Sequence, residues 1–205
     1  MPPAQDIDQV GPGLFVWQNY DPKVKADLFS TALETPAGLF LVDPIPLATE
    51  AFDELTGARK LAGVIVTNAN HHRDSVLQAN RLSLPLFAHV DAALPPEVRQ
   101  LRKLESGTLL GGNLRAIAIE GAAPGEIVLH QQDDNGTMVV GDALINFAPY
   151  GFTLLPAKYC SNAKQMRRSL RQLLDFEFER MLFAHGAPLL KSARQQLKQL
   201  LSSDG

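Results

Sequence analysis

The sequence predicts an α/β (α+β) protein built as a four-layer αββα sandwich, in which two mixed β-sheets pack face to face and helices cover the outer faces. Three observations carry this prediction. Strand-like segments fill both halves of the chain, helical segments follow each block of strands, and no linker, repeat or low-complexity stretch separates the halves. Sheets and helices form such layers because each has to bury an apolar face. We therefore expect residues 1–205 to form a single domain.

The first half of the chain alternates apolar and polar residues between turn signals, which is typical of strands with one buried face. The segment "LAGVIVT" is apolar almost throughout, as in a central strand. The segments predicted here are, in order, strands at 13–19, 26–35 and 37–44, a helix at 47–60, a strand at 61–67 and a helix at 75–83.

The second half contains short strands at regular intervals, beginning with "LPLFAHV" at 84–90 and including "GEIVLHQQ" and "GTMVVGDALI". The sequence "DDNG" at 133–136 predicts a tight hairpin turn. A helix is expected at 162–174 with Ser161 as its N-cap. The chain then supplies a last strand ending at His185 and a closing amphipathic helix.

Composition excludes several classes of protein. With 45% apolar and 20% charged residues the chain is typical of a globular protein, and a net charge of −3 gives no basic surface for nucleic acid. The first residues lack the pattern of a signal peptide, and no apolar run reaches the roughly 20 residues that span a bilayer. Cys160 is the only cysteine, which rules out an internal disulfide. We expect a cytoplasmic protein that binds neither nucleic acid nor a membrane.

Polar side chains follow buried strands at four separate places. Asp43 follows "LFLV", the loop Asn68–Asp74 follows "GVIV", Asp142 follows "MVVG" and His185 follows "MLFA". If these strands end at one edge of the sandwich, the polar groups converge on a cleft, which is where ligand sites in layered folds usually lie.

The same segments resemble the metallo-β-lactamase fold superfamily. "VIVT" with its histidine-rich loop, "GAAPGEIVLH", "VVGDALI" and "FAHGAP" stand in the order of that family's motifs, over about residues 13–190. Those motifs are a Thr-His-x-His-x-Asp-His loop, a Gly-His-x-Pro-Gly turn, a Gly-Asp pair and a late His-Gly pair. The resemblance implies the αββα fold and a hydrolase centre that holds two metal ions.

The position of the family's first metal ion has lost its ligands in this chain. Aligning Thr67 with the motif threonine places Asn68 and Asn70 at the first two histidines, and Ala122 stands at the third. Carboxamide oxygens are weak donors to Zn²⁺ and alanine offers none. The resemblance therefore implies that no ion is held at this position.

The second metal position keeps more of its chemistry. The alignment places His72 at the motif aspartate and Arg73 at the last histidine, whereas Asp142 and His185 match their family ligands in kind. The set His72, Asp142 and His185 is adequate for a single Zn, Fe or Mn ion. Arg73 argues against any ion, because a guanidinium beside it repels a divalent cation. We expect Arg73 to replace the metal as a bidentate partner of Asp142.

The remaining polar residues of the loop have ordinary explanations as well. His71 either points into the cleft or is a half-exposed loop residue, and the sequence leaves both open. Asp74 is expected to cap the helix that follows it. Asn68 and Asn70 could satisfy main-chain groups at a sharp turn. The residues expected to line the cleft are Asn68, Asn70, His71, His72, Arg73, Asp74, Ala122, Asp142 and His185.

Two main functional hypotheses follow, and whether the chain is an enzyme is left open. In the first, the di-metal hydrolase centre is largely lost, no cofactor is bound, and the polar cleft serves a small molecule or a protein partner that the sequence does not identify. In the second, a single-metal hydrolase acts on an ester, thioester or amide through His72, Asp142 and His185, with or without His71 as a further ligand, and Asp142 orients the attacking water. A third hypothesis is a purely structural subunit with an inert cleft.

Overall fold

The structure, a computed structural model, describes residues 1–202, which contain fourteen strands and four α-helices. The first sheet has seven strands, which follow one another in sequence order across the sheet. These are β1 (Asp8–Gly11), β2 (Leu14–Asp21), β3 (Ala26–Thr35), β4 (Gly38–Val42), β5 (Leu61–Val66), β6 (Leu86–His89) and β7 (Leu101–Leu104). The sheet is mixed, since β1 to β4 are antiparallel and β4 to β7 are parallel.

The second sheet has five strands in the order β14-β11-β10-β9-β8, with β11 and β14 parallel and the other pairs antiparallel. Its strands are β8 (Leu109–Leu110), β9 (Leu114–Ala118), β10 (Ile127–Gln131), β11 (Thr137–Val140) and β14 (Arg180–Phe183). A separate hairpin joins β12 (Leu144–Phe147) to β13 (Gly151–Leu154). The predicted turn at 133–136 connects β10 to β11.

Four α-helices lie between or after these strands. They are α1 (Thr49–Thr56), α2 (Ser75–Arg81), α3 (Ala163–Leu170) and α4 (Ala193–Ser202), and short 3₁₀ turns cover Ala69–His71, Ala157–Tyr159 and Arg171–Asp175. No helix in the described range is long and apolar enough to cross a membrane.

The alternation of side chains along single strands builds the layers. In β5, Val64 and Val66 pack on the side of α1 and α2, whereas Ile65 between them packs against the second sheet. In β10, Leu129 faces the first sheet and Val128 faces α3 and α4. Successive residues of a strand point to opposite faces, so each central strand contributes to two cores. The predicted αββα sandwich of two mixed sheets is confirmed.

Several element boundaries differ from the sequence prediction. The helix expected at 47–60 is confined to α1, and the helix expected at 162–174 is α3 followed by a 3₁₀ turn. The N-cap of α3 is Asn162, whose side chain accepts a hydrogen bond from the main-chain N–H of Gln165, so the expectation for Ser161 was wrong by one residue. The segment "GTMVVGDALI" breaks into β11 and β12 because the chain leaves the sheet at Asp142.

Candidate metal centre

Four strand ends bring the polar residues to one edge of the sandwich. The parallel strands β4 and β5 are followed by Asp43 and by the loop that starts at Thr67. The parallel strands β11 and β14 of the other sheet are followed by Asp142 and His185. Because parallel neighbours end at the same edge, the polar groups at these strand ends come into contact, in the region predicted from the sequence as the cleft.

The centre of this cleft is a cluster of His71, Asp142 and His185, which we call the His–Asp–His group. Its three inward atoms are nearly equidistant. Asp142 Oδ1 lies 3.1 Å from His71 Nε2 and 3.2 Å from His185 Nε2. The two Nε2 atoms are 3.2 Å apart. His71 and Asp142 are buried, and His185 is partly exposed.

His71, and not His72, joins this cluster because of the local backbone. The side chain of Asn68 accepts a hydrogen bond from the N–H of Asn70, which starts the 3₁₀ turn Ala69–His71. Residues three apart in a 3₁₀ turn lie on the same side, so His71 points inward with Asn68. His72 follows on the outside and is exposed. The expectation that His72 belongs to the metal-ligand set is thereby corrected.

The far nitrogen of His71 is fixed by a carboxylate. Asp43 Oδ2 lies 3.0 Å from His71 Nδ1. Thr67 donates its main-chain N–H to Asp43 Oδ1 at 2.8 Å and its hydroxyl to Oδ2. Asp43 takes a left-handed backbone conformation, with φ of 45°, that residues other than glycine rarely adopt. Hydrogen bonding to Asp43 assigns the Nδ1–H tautomer to a neutral His71 and leaves Nε2 free to ligate.

The other oxygen of Asp142 is engaged by an amide. Asn68 Nδ2 donates to Asp142 Oδ2 at 3.2 Å and to Glu126 Oε2 at 2.7 Å. Glu126 also accepts the main-chain N–H of Ala143 at Oε1, at 3.0 Å. Asn68 and Glu126 are both buried. Asp142 Oδ2 therefore accepts its hydrogen bond from a buried amide that is itself held by a buried carboxyl group.

Arg73 does not form the predicted ion pair with Asp142. Its guanidinium donates to three main-chain carbonyl oxygens, those of Phe29, Asp43 and Ala184. His71 and His185 contact the Asp142 carboxylate instead. The interpretation of Arg73 as a bidentate partner of Asp142 is corrected, because one carbonyl within β3 and two that follow the ends of β4 and β14 satisfy the guanidinium.

Two carboxylates determine the charge of His71. Burial and the Arg73 guanidinium both act to lower the pKa of His71, but Asp43 and Asp142 outweigh them and raise it to about 9. Burial acts to lower the pKa of His185, and the net effect is a pKa below its ordinary value despite the hydrogen bond to Asp142. The two imidazoles therefore differ, and without an ion His71 is the one that carries a proton near neutral pH.

The two acidic groups of the cleft shift in opposite directions. Burial acts to raise the pKa of Asp142, but His71 and His185 hold it well below its usual range. Burial and the nearby Asp142 carboxylate raise the pKa of Glu126 to about 8. Such opposed shifts in one cleft are common at functional sites.

The remaining predicted cleft residues lie apart from the centre. Asn70 is exposed. Asp74 stands at the N-cap position of α2, but its side chain makes no capping hydrogen bond and accepts one from Gln78 Nε2 at 2.7 Å. Ala122 is buried in the core beneath α3, where it adds a methyl group to apolar packing. Of the nine residues expected in the cleft, four meet at its centre, namely Asn68, His71, Asp142 and His185.

Sequence reasoning missed Glu126, although a signal was present. It follows the Pro-Gly turn and precedes β10, whose five residues are all buried. A carboxylate at the start of a fully buried strand needs hydrogen-bond donors, and these are the amide of Asn68 and the main chain at Ala143.

The hairpin of β12 and β13 ties the two halves of the centre together. Asn146 donates its main-chain N–H to the carbonyl of His185 at 3.0 Å, and its own carbonyl accepts the N–H of Ala187 at 3.0 Å. Gly186 lies between them with φ of 110°, and a Cβ there would stand 1.9 Å from the Asn146 oxygen. Only glycine fits this approach.

The His–Asp–His group fits one divalent ion. Donor atoms about 2.0–2.2 Å from a Zn²⁺ ion and about 90–110° apart around it are separated by roughly 2.8–3.6 Å. The three separations in this structure, from 3.1 to 3.2 Å, fall within that range. The first metal position does not fit an ion, because it offers an amide N–H, an exposed asparagine and a buried methyl group.

Comparison with known families agrees with this fold. The family described as the metallo-beta-lactamase superfamily matches residues 8–203, almost the whole chain. The chain therefore belongs to the metallo-β-lactamase superfamily. Among curated protein sequences none matches it.

Solved structures of this superfamily share the fold at low sequence identity. The DIM-1 metallo-β-lactamase exposed to ceftazidime has a TM-score of 0.76 at 15% identity, over 100% of this chain and 99% of that chain. A metallo-β-lactamase from Pontibacter korlensis has a TM-score of 0.73 at 11% identity, over 97% and 99%. The archaeal superfamily protein ST1585 from Sulfolobus tokodaii has a TM-score of 0.69 at 14% identity, over 95% and 88%. At such identities the likeness concerns the fold alone.

Proposed function

We propose that this chain is a single-metal member of its superfamily, which holds one divalent transition-metal ion through His71, Asp142 and His185 and hydrolyses an ester, thioester or amide. The observation that carries the proposal is the near-equilateral arrangement of the three donor atoms, 3.1 to 3.2 Å apart. Two imidazole nitrogens and one carboxylate oxygen are a common donor set for Zn²⁺, Fe²⁺ and Mn²⁺.

The surroundings of the ligands support this proposal. A metal-binding histidine commonly donates its second ring N–H to a carboxylate, which fixes the tautomer and raises the basicity of the ligating nitrogen. Asp43 stands in that relation to His71, at 3.0 Å from Nδ1. The guanidinium of Arg73 donates to three main-chain carbonyls, whose dipoles partly neutralise its charge.

The centre is open on one side. The side chain of His185 is 19% exposed and that of Asp142 is 13% exposed, against 4% for His71. A small substrate would therefore approach from the His185 side. A divalent ion bound here supplies Lewis acidity for hydrolysis. Asp142, His71 and His185 would hold it, and Asp43 would keep His71 in the ligating tautomer.

Metal analysis tests this proposal directly. Protein purified without chelator is expected to contain about one equivalent of a transition metal. His71→Ala and His185→Ala are expected to lose it, whereas His72→Ala, the exposed neighbour, is the matched control and should keep it. Less than about a tenth of an equivalent in the wild-type protein, with no hydrolysis of ester, thioester or anilide probes after Zn²⁺ or Mn²⁺ is added, would contradict the proposal.

A second candidate function is a metal-free cleft that binds a small molecule or a protein partner. The observation that favours it is the position of His71 between two carboxylates, 3.0 Å from Asp43 and 3.1 Å from Asp142. A protonated imidazole there matches their charge without an ion. The same metal analysis separates the two candidates. If the cleft is metal-free, the wild-type protein should contain no stoichiometric ion, and its metal content should not change when His185 is replaced by alanine.

A further inference from the structure

The carboxylate of Asp142 makes different contacts with its two oxygens. Oδ1 faces the imidazoles of His71 and His185. Oδ2 accepts a hydrogen bond from the side-chain amide of Asn68. A carboxylate that is free on both oxygens can ligate two ions or chelate one. The group that is hydrogen-bonded to Oδ2 therefore determines how many ions Asp142 can ligate.

The orientation of the Asn68 amide is fixed from both ends. Its Oδ1 accepts the main-chain N–H of Asn70 at 2.8 Å, and its Nδ2 faces two carboxylate oxygens. Exchanging O and N would place an oxygen against two acceptors and an NH₂ group against a donor. The amide nitrogen therefore has one chemically consistent place, between Asp142 and Glu126.

The space around this amide leaves no room for a larger group. A Cβ added to Gly141 would stand 2.6 Å from Thr67 Oγ1, 2.8 Å from Glu126 Oε1 and 3.1 Å from Asn68 Nδ2. The glycine that precedes Asp142 thus allows strand β11 to approach this polar cluster closely. The amide and the two carboxylates are packed together as one buried unit.

Resting on the proposed function, we infer that the Asn68 amide, held by Glu126, acts as a built-in substitute for a second cation. Its Nδ2 donates to Asp142 Oδ2 and to Glu126 Oε2, so that only Oδ1 of Asp142 faces the two imidazoles of the His–Asp–His group. Asn68 and Glu126 are positioning residues in this arrangement, since neither is placed to touch a substrate.

The isosteric variant Asn68→Asp tests the inference. It replaces the donor amide with an acceptor and brings three carboxylates within the 2.7 and 3.2 Å contacts now made by Nδ2. Carboxyl groups this close together cannot all ionise unless a cation joins them, so they retain protons in its absence and release them to an ion, and Mn²⁺ favours carboxylate ligands. Asn70→Asp is the matched control, because Asn70 is the same residue type in the same loop but is exposed.

Each protein is stripped with chelator and dialysed against MnCl₂, and the bound metal and the melting temperature are measured. The inference predicts that Asn68→Asp binds one more equivalent of Mn²⁺ than the wild-type chain and that Mn²⁺ restores a lowered melting temperature. Asn70→Asp should match the wild type in both. Equal stoichiometry in Asn68→Asp and the wild type would overturn the inference, as would two ions bound by the wild type.

The double variant Asn68→Asp/Glu126→Gln covers the case in which Asn68→Asp does not fold. In this variant the amide is at position 126 and the carboxylate at position 68, so the new amide can donate to the new carboxylate. The hydrogen bond between the two positions is kept, but Asp142 Oδ2 loses its donor. We expect near-native folding with metal affinity at the His–Asp–His group lowered by about 10- to 100-fold, the usual effect of losing a partner of a metal ligand. Wild-type affinity in a folded double variant would overturn the inference.

Failure of the proposed function is distinguishable from failure of this inference. A wild-type chain that binds no ion contradicts the proposed function. The inference about Asn68 fails separately, when the wild type binds one ion and either Asn68→Asp gains none or the folded double variant keeps the wild-type affinity.

Discussion

The carboxylate of Asp142 lies between the two sides of the polar cleft, and its two oxygens make different contacts there. On one side, Asp142 Oδ1 meets two imidazoles at 3.1 and 3.2 Å. On the other, Oδ2 meets an amide that a second buried carboxylate holds in place. The imidazole side brings together three groups that could ligate an ion, whereas the amide side makes hydrogen bonds at the position where the family's first metal ion would lie. Losing ligands on one side therefore need not abolish the other.

The largest expected effect concerns the imidazole side. His71→Ala removes one of three donors and should weaken metal binding by more than about a hundredfold, beyond the usual effect of changing a partner of a ligand. Isothermal titration of chelator-treated protein with Zn²⁺ measures this. A loss below about tenfold would show that His71 is not a ligand.

Replacing Arg73 should affect stability more than metal binding. Arg73→Ala removes the three hydrogen bonds to the carbonyls of Phe29, Asp43 and Ala184, and we expect the free energy of unfolding to fall by about 3 kcal/mol. The carbonyl of Asp43 keeps the Ser30 hydroxyl as a donor, and that of Ala184 keeps the N–H of Phe29. Urea unfolding of the metal-free protein provides the measurement. Arg73→Lys serves as the comparison, since it restores the charge but not the three-carbonyl geometry and should recover only part of the loss. An unchanged midpoint for Arg73→Ala would contradict the role assigned to these contacts.

The stability of the metal-free protein should fall as the pH rises from 6.5 to about 9. The pKa of His71 is raised from 6.5 to about 9, so its contribution is fully present below pH 6.5 and is lost as the pH rises through about 9. The loss should not exceed about 3 kcal/mol. His71→Ala should reduce this slope, and the part below about pH 8 that comes from the raised pKa of Glu126 should remain. Metal affinity should rise over the same interval, because the ion and a proton compete for His71.

The smallest effect is expected on the amide side. Gly141→Ala forces a methyl group against Thr67, Glu126 and Asn68, at 2.6 to 3.1 Å from their polar atoms. We expect the free energy of unfolding to fall by about 1–3 kcal/mol, as for other overpacked sites. One equivalent of metal should still bind, because the imidazoles are untouched. Loss of all metal from a folded variant would show that the two sides cannot be separated.

The sequence predicted the layers well because the apolar pattern of single strands is a local signal. Val64, Ile65 and Val66 form a continuous apolar run, and such a run is typical of a strand buried on both faces. The edge at which the polar groups meet followed from the same pattern. Four strand ends carried polar residues, and these ends meet in the structure.

The site residues within the loop could not be predicted as reliably, because a tight turn changes which side chain points inward. Counting from Thr67 along the family motif selects His72, but the turn begun by Asn68 puts His71 inside. Arg73 was expected on a carboxylate, yet main-chain carbonyls took its hydrogen bonds. Every residue has a main-chain carbonyl, so a sequence gives no sign of which carbonyls will accept a hydrogen bond. The partners of Arg73 could therefore not be predicted before the fold was known.

The hairpin that follows Asp142 has a mechanical consequence. Its residue Asn146 is hydrogen-bonded to the main chain on both sides of Gly186, and Gly186 directly follows His185. Asp142 and His185 are 43 positions apart in sequence, but the short segment 142–146 connects them through the hydrogen bonds of Asn146. If this segment moves, we expect Asp142 and His185 to move together, so that the distance between them is preserved. Insertions at the hairpin tip, 148–150, should therefore be tolerated far better than changes at Asn146.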